Sequence, residues 1–201
     1  MKAGVRALGI AESYHGDDET GSESTLAAAV VRADQVVDGL AYTSCTVGGT
    51  DATAAVCELV ADLGRPDVRY VLLGAVAPAW YNVLNLSEIA RTADRPVIAV
   101  TFEDSDGLEA GIRGAFSDGE RDQRLETYRS LPERQAVSVN DETVYVRCVG
   151  LERNVAAEVV RGFTPEGGRP EPIRVARLAA RAGDTYARSQ TADSESERRK
   201  T

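Results

Sequence analysis

The chain is poor in the residues from which many functional sites are built. It has one histidine, His15, and three cysteines, Cys45, Cys57 and Cys148, with no C-x-x-C pair among them. A lone histidine excludes His-Cys zinc clusters. An odd number of widely spaced thiols, each in an apolar or small-residue run, reads as buried and reduced rather than as a disulfide frame. Lysine is nearly absent: Lys2 and Lys200 are the only two, so the 23 basic residues are almost all arginine, set against 32 acids for a formal net charge of -9. Carboxylates hold hydration water where the lysine stem does not, so this balance points to a halophilic source with a salt-rich cytoplasm. Net charge speaks to solvent and solubility, and at molar salt screening acts within about 3 Å, so a nucleic-acid partner is not excluded by the acidic total. No run of about 18 apolar residues is present, and no apolar core follows Lys2, so neither a membrane span nor a signal peptide is expected and the protein reads as cytoplasmic.

What remains is an ordinary globular composition, 201 residues with 43% hydrophobic content, enough for a single domain with a sizeable core. Val5 to Ile10, Leu26 to Val31 and Leu40 to Val47 have strand patterns. Turn chemistry lies between the second and third, at Ala33-Asp34-Gln35 and Asp38-Gly39. The period then changes: Ala52, Val56, Leu59, Val60 and Leu63 recur at helical spacing, with Thr50 or Asp51 as N-cap and Gly64 as the stop. Tyr70 to Leu73 is a short, fully apolar strand and Val97 to Phe102 another apolar strand, on either side of a helix from Leu86 to Ala93, the mark of strands buried on both faces of a sheet. Helices over Gly107 to Phe116 and Glu120 to Leu131, a hairpin of Ala136 to Val139 with Thr143 to Val149, and helices over Val155 to Val160 and Pro172 to Ala182 complete the pattern. Beyond Gly183 apolar periodicity stops. The expectation is one domain over residues 1–183 and a disordered tail over 184–201. The order strand, strand, strand, helix, strand, helix, strand predicts an α/β ribonuclease H-like fold, a mixed sheet whose antiparallel meander continues into parallel strands, with helices on both faces.

Five stretches carry a family resemblance: "LGIAES", "VGGTDAT", "LLGAVAPAWYNVLNL", "RPVIAV" and "PEPIRVARL". Together they resemble the successive motifs of the archaeal endonuclease dU family, related to endonuclease V. The resemblance spans residues 4 to 182, and its most specific pieces are Thr50-Asp51-Ala52-Thr53 and Pro170-Glu171-Pro172 followed by Arg174 and Ala176. It implies a ribonuclease H-like fold and magnesium- or manganese-dependent cleavage of DNA near deoxyuridine or a related deaminated base, a DNA-repair activity. Two hard cations about 4 Å apart need oxygen ligands from several directions, and the sequence departs from the family pattern where those oxygens belong. Ala11-Glu12 stands where the pattern has paired aspartates, Gly74-Ala75 where it has an aspartate before a glycine, and Gly48 and Asn85 at two further acidic positions; Asn82 is retained. Weakened or lost cleavage is the expectation, with a silent interaction or scaffold module as the alternative.

The candidate residues follow, each with a plainer role beside the functional one. Glu12 and Asp51 are the candidate catalytic and metal-site carboxylates; Glu12 can also be a solvated loop acid, and Asp51 a helix cap. Trp80, Tyr81 and Asn82 form a candidate base-contacting loop, since aromatic faces stack on unpaired bases, although loop aromatics also serve as packing. Arg174 is a candidate phosphate contact with Glu171 beside it, and the two lie at i and i+3, where an ion pair is the alternative. Asp17, Asp18, Glu19 and Glu23 read as a solvated acidic run, with His15 in the same loop. For these residues to form one site, the end of the first strand, the start of the Thr-Asp-Ala-Thr helix and the tryptophan loop must share a rim.

Overall fold

The structure is a computed structural model that describes residues 1–14 and 20–198. His15, Asp17, Asp18 and Glu19 lie outside the described residues. Seven strands, β1 (Arg6–Glu12), β2 (Glu23–Arg32), β3 (Val37–Thr46), β4 (Val68–Leu73), β5 (Val97–Thr101), β6 (Gln135–Val139) and β7 (Glu142–Val149), form one sheet in the order β3-β2-β1-β4-β5-β7-β6. β1, β2 and β3 pair antiparallel, β4 runs parallel to β1, β5 runs parallel to β4, and β7 closes antiparallel on β5. This is the mixed sheet that the order of elements predicts.

Pleating assigns the helices to the two faces, because successive side chains of a strand point to opposite sides. Leu8, Ile10, Val71, Leu73, Val97 and Ala99 pack on one face against Val56 and Leu59 of α1 (Ala52–Leu63) and Leu86 and Ile89 of α3 (Leu86–Ala93). Ala7, Leu72, Ile98 and Val100 pack on the other against Val159, Val160 and Ile173, which belong to α6 (Arg153–Gly162) and α7 (Glu171–Arg198). The apolar runs Tyr70 to Leu73 of β4 and Val97 to Val100 of β5 are explained by this double cover, and each fully buried leucine or isoleucine contributes about 2 kcal/mol of transfer free energy. A helix as short as α1, 12 residues, is marginal alone in water, so these contacts hold it more than its own propensity does. Helices α4 (Glu109–Ala115) and α5 (Asp118–Arg129) lie between β5 and the β6–β7 hairpin in the chain.

The opening of α7 touches the sheet at backbone distance. A Cβ on Gly9 of β1 would stand 2.1 Å from the carbonyl carbon and oxygen of Pro172, and one on Gly74, just past β4, would stand 2.9 Å from Cγ2 of Ile173. Glycine is required here by proximity, and the contact sets the first turn of α7 across the middle of β1 and the end of β4.

Two expectations need correction. The tail expected from residue 184 gives way to helix, since α7 continues to Arg198. Asp184 is buried, its Oδ1 accepting from Thr25 Oγ1 at 3.4 Å and its Oδ2 pairing with Arg188 at 2.8 Å. A helix already docked adds residues without a new nucleus, and so needs no apolar repeat to carry on. The segment Pro78–Tyr81, read from sequence as a loop, is the four-residue element α2, in which Ala79, Trp80 and Tyr81 have φ of 46°, 56° and 61°. Three successive non-glycine residues in left-handed geometry cost roughly 1–2 kcal/mol each, so neighbouring contacts must hold them there.

Candidate functional site

The carboxyl ends of the parallel strands β1, β4 and β5 open onto one cleft, the usual position for a site in an α/β sheet. Its inner part lies among Glu12, Tyr14, Gly74 and Ala75, and its outer part among Thr101, Phe102, Arg134 and Arg147. Gly74, Ala75, Arg169 and Arg177 line both parts and join them.

Glu12 is the last residue of β1 and shares the side of Leu8 and Ile10, opposite Ala11, which packs toward Val175 and Ala176 of α7. Being one place later than the pattern that it resembles, this carboxylate is turned toward α1 and into half-buried surroundings. Its Oε2 accepts from the Ala79 N–H of turn α2. Burial pushes the Glu12 carboxyl up from 4.5 to about 7, against the opposing pull of that N–H and of the Arg177 guanidinium. Nearby, burial together with Glu12 and Asp51 pushes the Cys45 thiol up to about 12. A carboxyl whose pKa is raised on folding supports stability below its unfolded pKa and withdraws it as pH rises through the folded one. Glu12→Gln, which keeps an acceptor for Ala79, is therefore expected to match the parent near pH 4.5. It should gain on the parent across pH 4.5 to 7 and end about 3 kcal/mol more stable above pH 8, as read by denaturant titrations at each pH.

Asp51 occupies the N-cap position of α1 without making a side-chain cap. Its oxygens accept instead from Thr46 N at 3.1 Å, Thr46 Oγ1 at 2.7 Å and Asn82 Nδ2 at 2.7 Å. Burial acts to raise its pKa, but the Thr46 hydroxyl, the Asn82 amide and the Thr46 N–H outweigh it and hold the carboxyl below its ordinary value. The capping is done from outside the helix: Asn82, fully buried, accepts from Ala52 N at 3.0 Å through Oδ1 and donates to Thr46 O at 2.9 Å. Asn85 caps α3 in the ordinary way, accepting from Glu88 N at 3.1 Å.

Turn α2 thus ties the expected places together, holding Glu12 by Ala79 and Asp51 by Asn82. Trp80 and Tyr81 point into packing. Their rings form a cluster with Phe116 at centroid distances of 5.1 and 6.1 Å, and the buried Arg124 lies 3.8 Å over the Phe116 ring. Arg124 also donates to the carbonyls of Gly48 and Gly49, fixing the loop that leads into Asp51. Arg174 closes on Glu171 at 2.6 and 2.7 Å, so its guanidinium is occupied by its neighbour and is not part of the cleft wall. The arginines that do line the cleft, Arg134, Arg147, Arg169 and Arg177, are not among the residues singled out from sequence. Helical spacing held the signal, for Arg177 stands one turn beyond Ile173, whose side chain is buried beside Gly74.

The donor set bears on metal chemistry. Magnesium demands near-octahedral oxygen coordination. Among the described residues, however, no three histidine, cysteine, aspartate or glutamate side chains come together in a metal-holding group. Oε2 of Glu12 is taken by Ala79, and both oxygens of Asp51 by Thr46, with Asn82 on one of them. The described residues do not fit a two-cation centre.

A sheet in the order 3-2-1-4-5, extended by an antiparallel hairpin and opening at its strand ends, defines a ribonuclease H-like protein. Within that class, the chain belongs to the endonuclease dU family, whose model matches residues 3–183. It is 32% identical over 184 residues to the UPF0215 protein of Methanopyrus kandleri, covering 90% of this chain and 91% of that one. A crystal structure of a protein of unknown function from Archaeoglobus fulgidus superposes with a TM-score of 0.75 at 22% identity, over 89% of this chain and 97% of that one. Endonuclease V of Ciona intestinalis, in complex with a 24mer DNA containing an inosine, superposes at 0.59 and 14% identity, over 91% and 87%. No helix among the described residues is long and apolar enough to cross a membrane.

Proposed function

We propose that this protein binds a nucleic-acid strand, DNA before RNA, along the cleft at the ends of β1, β4 and β5, and that its cleavage of deaminated DNA is weakened or lost. The observation that carries this reading is the composition of the wall. Arg134, Arg147, Arg169 and Arg177 line the cleft, against Glu12 and Glu103 as its acids among the described residues. Phosphate contacts from arginine supply most of the affinity of a nucleic-acid complex, whereas hydrolysis assisted by two cations needs carboxylates that are not assembled here. Membership of the endonuclease dU family and the fold shared with a DNA-bound endonuclease V support the choice of partner. The shortage of donors equally favours a silent interaction module on the same fold, so binding and nicking must be read separately.

The test pairs two measurements on one labelled duplex carrying uracil or inosine, with magnesium or manganese present. Anisotropy is expected to report binding that weakens as salt rises. Denaturing gels are expected to show nicking no faster for the parent than for Asp51→Ala. Robust nicking lost in Asp51→Ala would overturn the weakened-cleavage half of the proposal, and absence of binding at low salt would overturn the nucleic-acid half.

A further inference from the structure

The guanidiniums on the cleft wall fall into two kinds. Arg134 donates to the carbonyls of Ser105 and Glu103 through its terminal nitrogens, leaving Nε without a partner, and Arg147 to the Pro132 carbonyl and the Tyr128 hydroxyl, so both guanidiniums are already engaged by protein oxygens. Arg169 and Arg177 are half-buried and, among the described residues, have neither a hydrogen bond nor an ion pair. Burial, then Arg177, then Arg181 act against the charge on Arg169, and Glu142 favours it least strongly. The Arg169 guanidinium lies 4.1 Å over the Phe102 ring, which fixes its stem without supplying an acceptor. Glu12 attracts Arg177 from the inner part of the cleft, but its Oε2 is already taken by the Ala79 N–H. Two like charges stand half-buried beside each other with no acceptor provided among the described residues, an arrangement that raises the free energy of the empty protein and that an anion relieves.

The position of the pair gives the second observation. Both line the inner and outer parts of the cleft beside Gly74, the glycine that stands where the family resemblance expects a metal-binding aspartate. Fixed positive charge therefore lies in the part of the cleft where the described carboxylates do not assemble a cation site. Planar guanidiniums match phosphate oxygens in bidentate geometry.

We propose that Arg169 and Arg177 together form a phosphate site that holds a backbone phosphodiester of the bound strand directly, without a metal ion between protein and phosphate. This deepens the reading of the cleft as a nucleic-acid site and rests on it for the identity of the strand; the anion site itself can be tested without a strand.

Three charge-removing variants that keep an unbranched stem decide the matter: Arg169→Met, Arg177→Met and, as a control on the exposed side of α7, Arg174→Met. Each is titrated by anisotropy with a labelled single-stranded 12-mer in the presence of EDTA, across a salt series. The parent is expected to bind equally well in EDTA and in magnesium. Arg169→Met and Arg177→Met should each weaken binding ~10-fold and reduce the slope of log affinity against log salt by about 1, while Arg174→Met stays within about twofold of the parent. Binding that disappears in EDTA, or that weakens no more in the first two variants than in the control, overturns the proposal. A second readout guards against failure of the strand assignment. Inorganic phosphate should raise the thermal midpoint of the parent and of Arg174→Met, but not of Arg169→Met, whose midpoint without phosphate should equal or exceed that of the parent. If no oligonucleotide binds and this pattern holds, the phosphate site stands and the nucleic-acid reading falls. If phosphate leaves the parent midpoint unmoved, the phosphate site falls.

Discussion

Gly9→Ala is expected to destabilise the protein by more than ~4 kcal/mol, the range reached only when a specific packing mechanism is broken. The added methyl would lie 2.1 Å from the carbonyl carbon and oxygen of Pro172 and 2.7 Å from Ile173 N. All of these are backbone atoms, so no rotamer change relieves the overlap. Either β1 bends away from the middle of its sheet or the first turn of α7 lifts off. Lifting α7 uncovers Ile173 and Ala176, both buried, and carries Arg169 and Arg177 away from the cleft. The check is a denaturant or thermal titration alongside the parent, with soluble yield as a second readout if the variant does not accumulate. A midpoint within a few degrees of the parent would show that β1 and α7 are further apart than described. Gly64→Ala serves as a contrasting control, since the only neighbouring atom near its added methyl is Asp62 O at 3.9 Å; its penalty comes from the φ of 54° alone and stays near 1 kcal/mol.

Asn82→Ala should cost about 3 kcal/mol and lower the thermal midpoint by roughly 6–12 °C for a chain of this size. The amide accepts from Ala52 N and donates to Asp51 and to Thr46 O. Removing it strands the first N–H of α1 in a buried position and takes one of two donors from the Thr46 carbonyl, which keeps the Gly49 N–H. The companion substitution Asn82→Asp separates electrostatics from packing. It keeps the acceptor for Ala52 but loses both donors and sets a second carboxylate against Asp51, a pair in which one pKa must rise. Its stability should be worse than that of Asn82→Ala at neutral pH and recover on acidification as the pair takes up a proton. A flat pH profile for Asn82→Asp would show that the amide does not contact Asp51.

Much of the architecture was legible because it rests on local pattern. The apolar runs of β4 and β5, the helical repeat of α1 and the hairpin of β6 and β7 are set by hydrophobic period and turn chemistry, and each appears within a few residues of its expected bounds. Elements fixed by distant partners were harder to read. Turn α2 has no propensity for its geometry; its left-handed run exists because Glu12, Thr46 and Ala52, remote in sequence, take its polar groups. The helix beyond Gly183 is anchored by Asp184 against Thr25 of β2, a contact that no window of neighbouring residues contains. The candidate site divides in the same way. Glu12 and Asp51 were singled out from their place at element ends and Asn82 from the retained motif, and Ala79 of turn α2 and Asn82 just after it reach the two carboxylates. Arg174 was chosen from a motif and meets Glu171, whereas Arg169 and Arg177 reach the cleft through the close approach of α7 to Gly9 and Gly74, which only the tertiary fold reveals.

The left-handed turn has a consequence for how the molecule breathes. Ala79 is fully buried, yet the backbone around it is held in a shape that it would leave if released, so depth and protection need not coincide there. Opening this short segment gives up one local cluster of Trp80, Tyr81 and Phe116 and frees strained dihedrals, whereas opening β4 or β5 dismantles both cores. The rim of the cleft is then the first part of the interior to loosen, and whatever settles against Glu12 acts as a latch on it.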